Sequence, residues 1–291
     1  SSRDPRPPGV TMRLHAVRAV LAVMALSLVS SAPGLASETS SRNHEDFDAK
    51  NFSDPTNVDN PWFAFQPGRR WIWEGTTVDD EGEVLPHRVV ITATNLTKVI
   101  GGIRCAVTYD LDYEEGELVE AEVAFFAQDD DGNVWRMGEY PEEYDDGEII
   151  APVWLHGIEG SVAGISMRGN PQVGSPDYSQ GWAPSVDFTD RGKVREFVTK
   201  DCVPVDCYDN VLVIEETALD EAGAFHLKYW VEGVGNTRVG WGGEGEKTQE
   251  VLELVSLEML DADALAKVQE GALALEKSAF EISPDIYGRS E

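Results

Sequence analysis

The chain has 291 residues, 53 of them acidic and 23 basic, so its formal charge at pH 7 is −30. With 42% hydrophobic and 26% charged residues, it is too apolar to be mainly disordered and long enough to bury a large core. The charge excludes nucleic acid as a partner, because phosphate binding needs a basic face, and it disfavours anionic membrane surfaces. Cations and basic partners are favoured instead.

The N-terminal residues carry the pattern of a secretory signal peptide. Residues 1–11 precede the first methionine and are interpreted as an upstream translated segment. Residues 12–36 then combine a basic stretch with Arg13 and Arg18, an apolar stretch, and a small-residue cleavage site ending at Ala36. The apolar stretch is too short to cross a bilayer. We therefore expect an exported mature chain, secreted or periplasmic, without an integral membrane segment.

A predicted β domain at 55–260 follows a leader at 37–54, which is polar, acidic and aperiodic and is therefore expected to be flexible. The short segments of the domain are rich in β-branched and aromatic residues and are mostly separated by Gly, Pro, Asn or Asp. They cover 71–73, 88–94, 103–113, 118–127, 134–137, 194–199, 211–214, 225–231 and 251–257. No helical pattern separates them, so antiparallel pairing is favoured over parallel βαβ units.

One hairpin, at 103–125, allows its register to be predicted. Each of its two segments alternates apolar and polar residues, so one face of the hairpin is apolar. A slip of one residue would turn every side chain over. The two apolar faces must therefore match, which places Tyr113 opposite Val119 and Leu111 opposite Ala121.

The same register creates an acidic strip on the other face, which is predicted to be solvated. Asp110 falls opposite Glu122, and Asp112 falls opposite Glu120. Like charges directly opposite each other are destabilising, by about 0.2–1 kcal/mol per pair. Carboxylates that converge across two strands could hold Ca²⁺, so these four residues are a candidate metal site. The alternative is a solvated face on a surface adapted to salt.

A second, weaker calcium candidate lies at 129–133, where Asp129, Asp131 and Asn133 place oxygen atoms at alternate positions. Gly132 comes too early for a calcium-binding EF-hand loop, and the Glu that ends such a loop is missing. A tight hairpin turn explains the same residues without a metal.

No motif predicts catalysis. The chain lacks a Gly-x-Ser-x-Gly nucleophile elbow and a His-Glu-x-x-His zinc motif. His87, His156 and His226 are dispersed along the β domain, and a structural or surface role is the favoured interpretation for each. A secreted hydrolase that uses one of these histidines is the rival hypothesis.

The cysteines fit an exported protein. Cys202 and Cys207 enclose a short loop that a disulfide would close in an oxidising compartment. A zinc site is disfavoured because two further ligands are missing nearby. Cys105 lies on the apolar face of its segment, which predicts a buried free thiol rather than a nucleophile.

Residues 261–280 predict a C-terminal amphipathic helix, followed by a tail at 281–291. Asp261 or Asp263 would be its N-cap. Apolar residues recur at spacings of three and four, at Leu265, Val268, Ala272, Leu275 and Ala279. The predicted fold is thus mainly β, an antiparallel sandwich or a strongly curved sheet or half-barrel, with this one helix packed on it.

The chain has eight tryptophans, most of which are expected in the core because aromatic side chains bury large apolar areas. A subset that lines a cleft could bind a sugar or an apolar ligand. The tryptophans are Trp62, Trp71, Trp73, Trp135, Trp154, Trp182, Trp230 and Trp241.

A set of short motifs is spread between Asn60 and Val239. They are NPWF at 60–63, PG at 67–68, WIWEG at 71–75, QDDDGNVW at 128–135, GE at 138–139, AGI at 163–165, Met167, PQVG at 171–174, Tyr178, Gln180, KYW at 228–230 and GVGN at 233–236. As a set, these motifs resemble a group of exported bacterial proteins of unknown function. The resemblance implies export and a single β-rich domain, and it supplies no catalytic residue.

The sequence therefore favours an exported, non-enzymatic binding or envelope-associated protein, monomeric and without a cofactor other than candidate Ca²⁺. Its partner would be a cation, a small molecule or an envelope ligand. Two alternatives stay open. One is the secreted hydrolase, and the other is a β protein whose acidic strip responds to Ca²⁺ or salt.

Overall fold

The computed structural model describes residues 42–79, 81–145 and 147–290 of the chain. The predicted upstream segment, the signal peptide and the first residues of the leader lie outside these ranges. Within the described ranges, the chain forms fifteen strands, one α-helix and three short 3₁₀ helices. No helix in these ranges has the length and apolarity needed to span a membrane.

The strands are β1 (Arg69–Val78), β2 (Val84–Ile100), β3 (Ile103–Glu114), β4 (Glu117–Gln128), β5 (Val134–Asp145), β6 (Glu148–Ile150), β7 (Trp154–Leu155), β8 (Val162–Met167), β9 (Tyr178–Ser179), β10 (Gly181–Trp182), β11 (Arg191–Cys202), β12 (Cys207–Thr217), β13 (Phe225–Val231), β14 (Gly235–Gly242) and β15 (Val251–Met259). The helix α1 spans Ala262–Ile282. The 3₁₀ helices span Ala49–Asn51, Pro184–Val186 and Tyr287–Arg289.

The strands form one antiparallel sheet that curls into a nearly closed barrel. The order is β10-β8-β5-β4-β3-β2-β1-β15-β14-β13-β12-β11-β9, with β6 and β7 also paired to β5. Most neighbours are consecutive in the chain, as a meander requires. The predicted mainly β, antiparallel fold with one C-terminal helix is confirmed, and of the predicted forms the strongly curved sheet is the one observed.

Residues 178–182 bring the two ends of this sheet together. β9 pairs with β11, and β10 pairs with β8. The backbones approach so closely here that a Cβ atom on Gly164 would lie 2.2 Å from the carbonyl carbon of Gln180. Only glycine permits this contact, so Gly164 is required for the closure.

The helix α1 packs on the outer face of β2, β3 and β4. Its N-cap is Asp261, whose side chain accepts a hydrogen bond of 2.8 Å from the backbone N–H of Ala264. Ala272, Leu275 and Ala279 are buried against apolar side chains of β3, β4 and β5. This outer cluster is the largest of the three apolar clusters among the described residues.

A buried lysine attaches the helix to the sheet. Lys98 on β2 is only 6% exposed, and its Nζ lies 3.1 Å from Oε1 of Glu276. The same Nζ lies 4.2 Å from the ring centre of Tyr287, where an ammonium is attracted by the face of the aromatic ring. The charge is therefore compensated from the helix and from the segment that follows it.

The inner face of the sheet encloses a second apolar cluster, and the segment before β1 inserts into it. Trp62 is 6% exposed and clusters with Met167 and Leu212. Asn60 holds this segment in place, because its Oδ1 accepts a hydrogen bond of 2.9 Å from the N–H of Trp62. Its Nδ2 donates to the carbonyl of Gly132 at 2.9 Å.

The predicted disulfide between Cys202 and Cys207 is present at the tip of the β11–β12 hairpin. The loop that it closes is not free in solvent, since Val203 is 8% exposed and clusters with Leu254 on β15. The N–H of Val205 donates to the carbonyl of Leu254 at 3.3 Å. The disulfide therefore supports a hairpin tip that packs back onto the barrel.

The described part of the leader, 42–54, differs from the flexible segment expected from its composition. The rings of Phe47 and Phe52 lie 5.4 and 6.2 Å from the ring of Trp135. The N–H of Ser53 donates to Asp130 at 3.0 Å. Two aromatic side chains in an otherwise polar segment are enough to pack it against the barrel.

Truncation of the helix face that meets the sheet should destabilise the fold. Leu275→Ala is expected to lower the free energy of unfolding by about 2–5 kcal/mol, because it leaves a cavity in the outer cluster. Leu273→Ala is the control, since Leu273 is 49% exposed on the same helix, and a change within about 0.5 kcal/mol is expected for it. Urea unfolding followed by circular dichroism measures both. Equal losses for the two variants would contradict this packing.

Candidate ligand-binding site inside the barrel

The hairpin β3–β4 has the predicted register over most of its length. The predicted pairs that are observed are Asp110 with Glu122, Leu111 with Ala121, and Asp112 with Glu120. A bulge then shifts the register, so that Tyr113 pairs with Leu118 and not with Val119. The predicted pairing of Tyr113 is wrong because β4 carries one extra residue, which the bulge accommodates.

The face of β3 that carries the acidic strip turns toward the interior of the barrel, although the Asp112 side chain stays 31% exposed. Tyr109 and Leu111 pack on the outer cluster under α1, so alternation along β3 turns Thr108 and Asp110 inward. Both of these residues line an interior cavity. The expectation of a solvated face is wrong because α1 covers the apolar side of the hairpin and the barrel closes around the acidic side.

The cavity has a volume of about 300 Å³ and a wall that is apolar on one part and charged on another. Its apolar lining comprises Phe63, Phe65, Trp71, Trp73, Val89, Ile91, Phe126, Phe188, Trp230, Val239 and Leu252. Its polar lining comprises Thr108, Asp110, Arg136, Ser166, Gln180, Asp190, Glu216, Lys228, Asn236 and Glu250. An apolar pocket with a few converging polar groups is the usual form of a small-molecule site.

Arg136 on β5 lies at the centre of the charged part. Its guanidinium forms ion pairs with Glu122, at 2.5 Å, and with Glu139. Its charge also acts on Asp110 and Asp190. These carboxylates come from β3, β4, β5 and the loop before β11, so the curvature of the sheet is what assembles them.

A second cation, Lys228 on β13, lies 3.9 Å from Glu216 on β12. Gln180, in the segment that closes the barrel, donates a hydrogen bond of 2.8 Å to the same carboxylate. Together the two groups form an ion cluster, in which carboxylates outnumber cations. Its members are Asp110, Glu122, Arg136, Glu139, Asp190, Glu216 and Lys228.

Burial, reinforced by the excess of carboxylates, raises the pKa of several members of the ion cluster. Burial and the charge of Glu122 raise the pKa of Asp110 well above its usual value. Burial and the charge of Glu216 raise the pKa of Asp190 to about 7. Burial raises the pKa of Glu139 to about 8, with Glu122 adding to the effect and Arg136 opposing it. Near neutral pH, Glu139 and part of the Asp190 population are therefore protonated.

Several polar atoms around the cavity lack a hydrogen-bond partner among the described residues. The indole Nε1 atoms of Trp73 and Trp230 donate to no described group, and Oδ1 of Asp110 accepts from none. Trp73 is 5% exposed, so its N–H is shielded from bulk solvent. Buried polar groups in proteins are nearly always hydrogen-bonded. Unpaired groups on residues that line the cavity therefore indicate a place for a bound molecule or for water.

The calcium interpretation of the acidic strip stays a prediction. Within the described ranges, no set of three or more His, Cys, Asp or Glu side chains is arranged to hold a metal ion. Glu122 is paired with Arg136, and Oδ1 of Asp112 lies 2.6 Å from Nε2 of His87. Two of the four carboxylates thus already have close partners from the chain.

The segment 129–133 forms the turn between β4 and β5, with Gly132 at a positive φ of 81°. Asp129 organises it by accepting hydrogen bonds from the backbone N–H groups of Asp131 and Asn133, at 3.0 and 2.8 Å. It also accepts from the indole of Trp135 at 2.8 Å. These bonds fit the turn interpretation of these residues, and the calcium interpretation stays a prediction here also.

The three histidines lie in different surroundings. Burial alone would lower the pKa of His87, but its hydrogen bond to Asp112 and the neighbouring carboxylates raise it. Burial lowers the pKa of His156, whose Nδ1 accepts from the backbone N–H of Ala163 at 3.0 Å. Nε2 of His226 lies 3.6 Å from Glu246. The hydrolase alternative stays a prediction.

Cys105 is a buried free thiol, as predicted. Burial raises its pKa to about 12, so the thiolate that acts as a nucleophile is not formed near neutral pH. Its place in the outer cluster, beneath α1, is a packing role.

Arg136, Asp190 and Lys228 were not predicted as site residues. A signal was present for Arg136, since it follows Val134-Trp135 in a segment otherwise apolar up to Met137. Lys228 similarly interrupts the strand Phe225–Val231. A charge in the middle of an apolar strand must be paired when the strand is buried on both faces. Burial on both faces is evident only in the barrel and not in the sequence.

No protein-family model and no curated protein sequence matches the chain. Two solved structures are similar to it. A protein from Bacteroides fragilis NCTC 9343, described as exported and with a YmcC-like fold, has 13% identity and a TM-score of 0.40, and the match covers 68% of this chain and 98% of that one. A protein from Parabacteroides distasonis ATCC 8503, described as a lipoprotein, has 10% identity and a TM-score of 0.35, with coverages of 68% and 99%.

The buried carboxyls predict an unusual dependence of stability on pH. Burial, with Glu122 and Asp112 contributing, raises the pKa of Glu120 to about 8. The folded state then holds more protons than the unfolded state between about pH 5 and pH 8, where unfolded carboxyls are ionised. The free energy of unfolding should therefore fall as the pH rises through this range, by about 1.4 kcal/mol per pH unit for each extra proton.

Glu120→Gln tests whether Glu120 holds a proton in the folded state, since it removes the titratable group while nearly keeping the shape of the side chain. We expect a shallower fall of stability between about pH 5 and pH 8 than in the parent protein. Glu148→Gln is the matched control, because Glu148 is exposed on β6, and its pH profile should follow the parent. Stability that rises over this range would contradict the buried, protonated state of the interior.

Proposed function

We propose that the protein is an exported, non-enzymatic binding protein that holds a small amphiphilic molecule inside its barrel. The observation that carries the proposal is the interior cavity, where an aromatic wall meets unpaired donors and acceptors, Nε1 of Trp73, Nε1 of Trp230 and Oδ1 of Asp110. A concave site with this wall can bury the apolar body of a ligand and offers partners for its polar atoms.

Export is supported by the sequence pattern at 12–36 and by the disulfide between Cys202 and Cys207, because disulfides persist in oxidising compartments. The non-enzymatic role is supported by the state of the polar groups in the cavity. The carboxylates of the ion cluster are paired with cations or hold protons, and the motifs of nucleophilic catalysis are absent from the sequence.

A neutral, environment-sensitive fluorophore tests the cavity directly. N-phenyl-1-naphthylamine should bind the purified parent protein with enhanced emission and should quench tryptophan emission, because Trp71, Trp73 and Trp230 line the site. Val239→Phe places a ring in the cavity, since Val239 is 4% exposed and lines it. This variant should weaken binding about tenfold or more, a loss of about 1.4 kcal/mol.

Val84→Phe is the matched control, because Val84 is 65% exposed at the start of β2, and it should bind the fluorophore as the parent does. Circular dichroism verifies that both variants keep the β fold. The proposal fails if the parent protein does not bind the fluorophore, or if the folded Val239→Phe variant binds it unchanged.

A further inference from the structure

The charges that line the cavity are not balanced, and two carboxylates are left over. Arg136 is occupied by Glu122 and Glu139. Lys228 pairs with Glu216, which also accepts a hydrogen bond from Gln180. Glu250 lies 3.4 Å from Nδ1 of His87. After these pairs are formed, Asp110 and Asp190 have no salt bridge within the described part of the chain. Both line the cavity, and both lie close enough to Arg136 for their charges to act on it.

The aromatic wall independently favours a cation. Faces of Trp, Tyr and Phe rings attract ammonium and guanidinium groups, and aromatic cages are a common means of binding quaternary ammonium. This cavity already places one cation over its rings, since the guanidinium carbon of Arg136 lies 5.3 Å from the ring centre of Phe188 and 5.9 Å from that of Phe126.

An anionic ligand is disfavoured by the same lining. A carboxylate or phosphate would stand among Asp110, Asp190 and Glu216, and the two cations that could receive it are already paired. Displacing Glu122 or Glu139 from Arg136 would leave a buried carboxylate without a partner, which is costly in an apolar interior. A cation beside Asp110 and Asp190 breaks no existing ion pair, and these two carboxylates offset the cost of removing it from water.

We infer that the molecule held in the barrel is an organic ammonium, with its charged nitrogen beside Asp110 and Asp190 and its apolar body against Trp71 and Trp73. The inference rests on the proposed function, since it names the class of ligand for the same cavity. Entry of the cation replaces protons on the leftover carboxyls, so binding should release protons to solution.

The pH dependence of binding follows from the groups that face the ammonium. The charged groups around this position are Asp110 on β3, Glu122 on β4, Arg136 and Glu139 on β5, Asp190 before β11, Glu216 on β12, Lys228 on β13 and Glu250 before β15. Because the pKa of Asp190 is raised to about 7, its ionised form becomes dominant above that pH. Cation affinity should therefore rise by about tenfold between about pH 6 and pH 8 as the site loses a proton.

Three probes of matched shape separate charge from size. Benzyltrimethylammonium is the cation, neopentylbenzene is its neutral isostere, and phenylacetate is an anion of similar size. Each displaces N-phenyl-1-naphthylamine from the parent protein in a competition titration. We expect the cation to compete at a concentration about tenfold or more below that of either other probe.

Asp110→Asn and Asp190→Asn should each reduce the ratio of cation affinity to neutral affinity by about tenfold. Asp209→Asn is the matched control, because Asp209 is exposed on β12, and it should keep the parent ratio. Equal competition by the three probes, or the same loss of preference in Asp209→Asn, overturns the ammonium assignment. If the fluorophore still binds in the cavity, the proposed function stands. Absence of fluorophore binding overturns the proposed function itself.

Discussion

The packing of α1 on the apolar face of β3 and β4 is the constraint from which the interior of this protein follows. Side chains of a strand alternate between its two faces, so once Val107, Tyr109 and Leu111 are buried under the helix, Thr108 and Asp110 must point the other way. In an open sheet that direction would be solvent. Here the sheet curls into a nearly closed barrel, and Thr108 and Asp110 become part of the lining of a cavity.

Closing the barrel around carboxylates has a free-energy cost that the fold offsets only in part. Arg136 and Lys228 compensate some of the charge, and protons neutralise more of it, as the raised pKa values of Asp110 and Asp190 indicate. A core selected for stability alone would replace such groups by apolar residues, since buried ion pairs are often no better than hydrophobic packing. Folding alone therefore does not explain the retention of unpaired, buried polar atoms, which supports the ligand site proposed above.

The register of β3–β4 and the helix at 262–282 could be predicted from the sequence because both depend on local periodicity. Apolar faces fix the pairing of Leu111 with Ala121, and spacings of three and four define the face that carries Leu275. The closing strands β8, β9 and β10 could not be predicted in the same way. β9 and β10 have two residues each, too few to show a period. β9 pairs with β11, and β10 pairs with β8, a strand that the sequence pattern did not predict.

Because the closing strands could not be predicted, the sequence placed Asp110 on a solvent-facing surface. Without residues 178–182, the curved sheet would be an open half-barrel and Asp110 would face water, as the sequence alone suggests. The contact between Gly164 and the backbone of Gln180 converts the same sheet into an enclosed one, and Gln180 also reaches Glu216 in the cavity. The segment that completes the barrel thus also supplies part of its polar lining. Asp110 therefore belongs to a surface strip in an open sheet and to a cavity lining in the closed one, and residues 178–182 decide between the two.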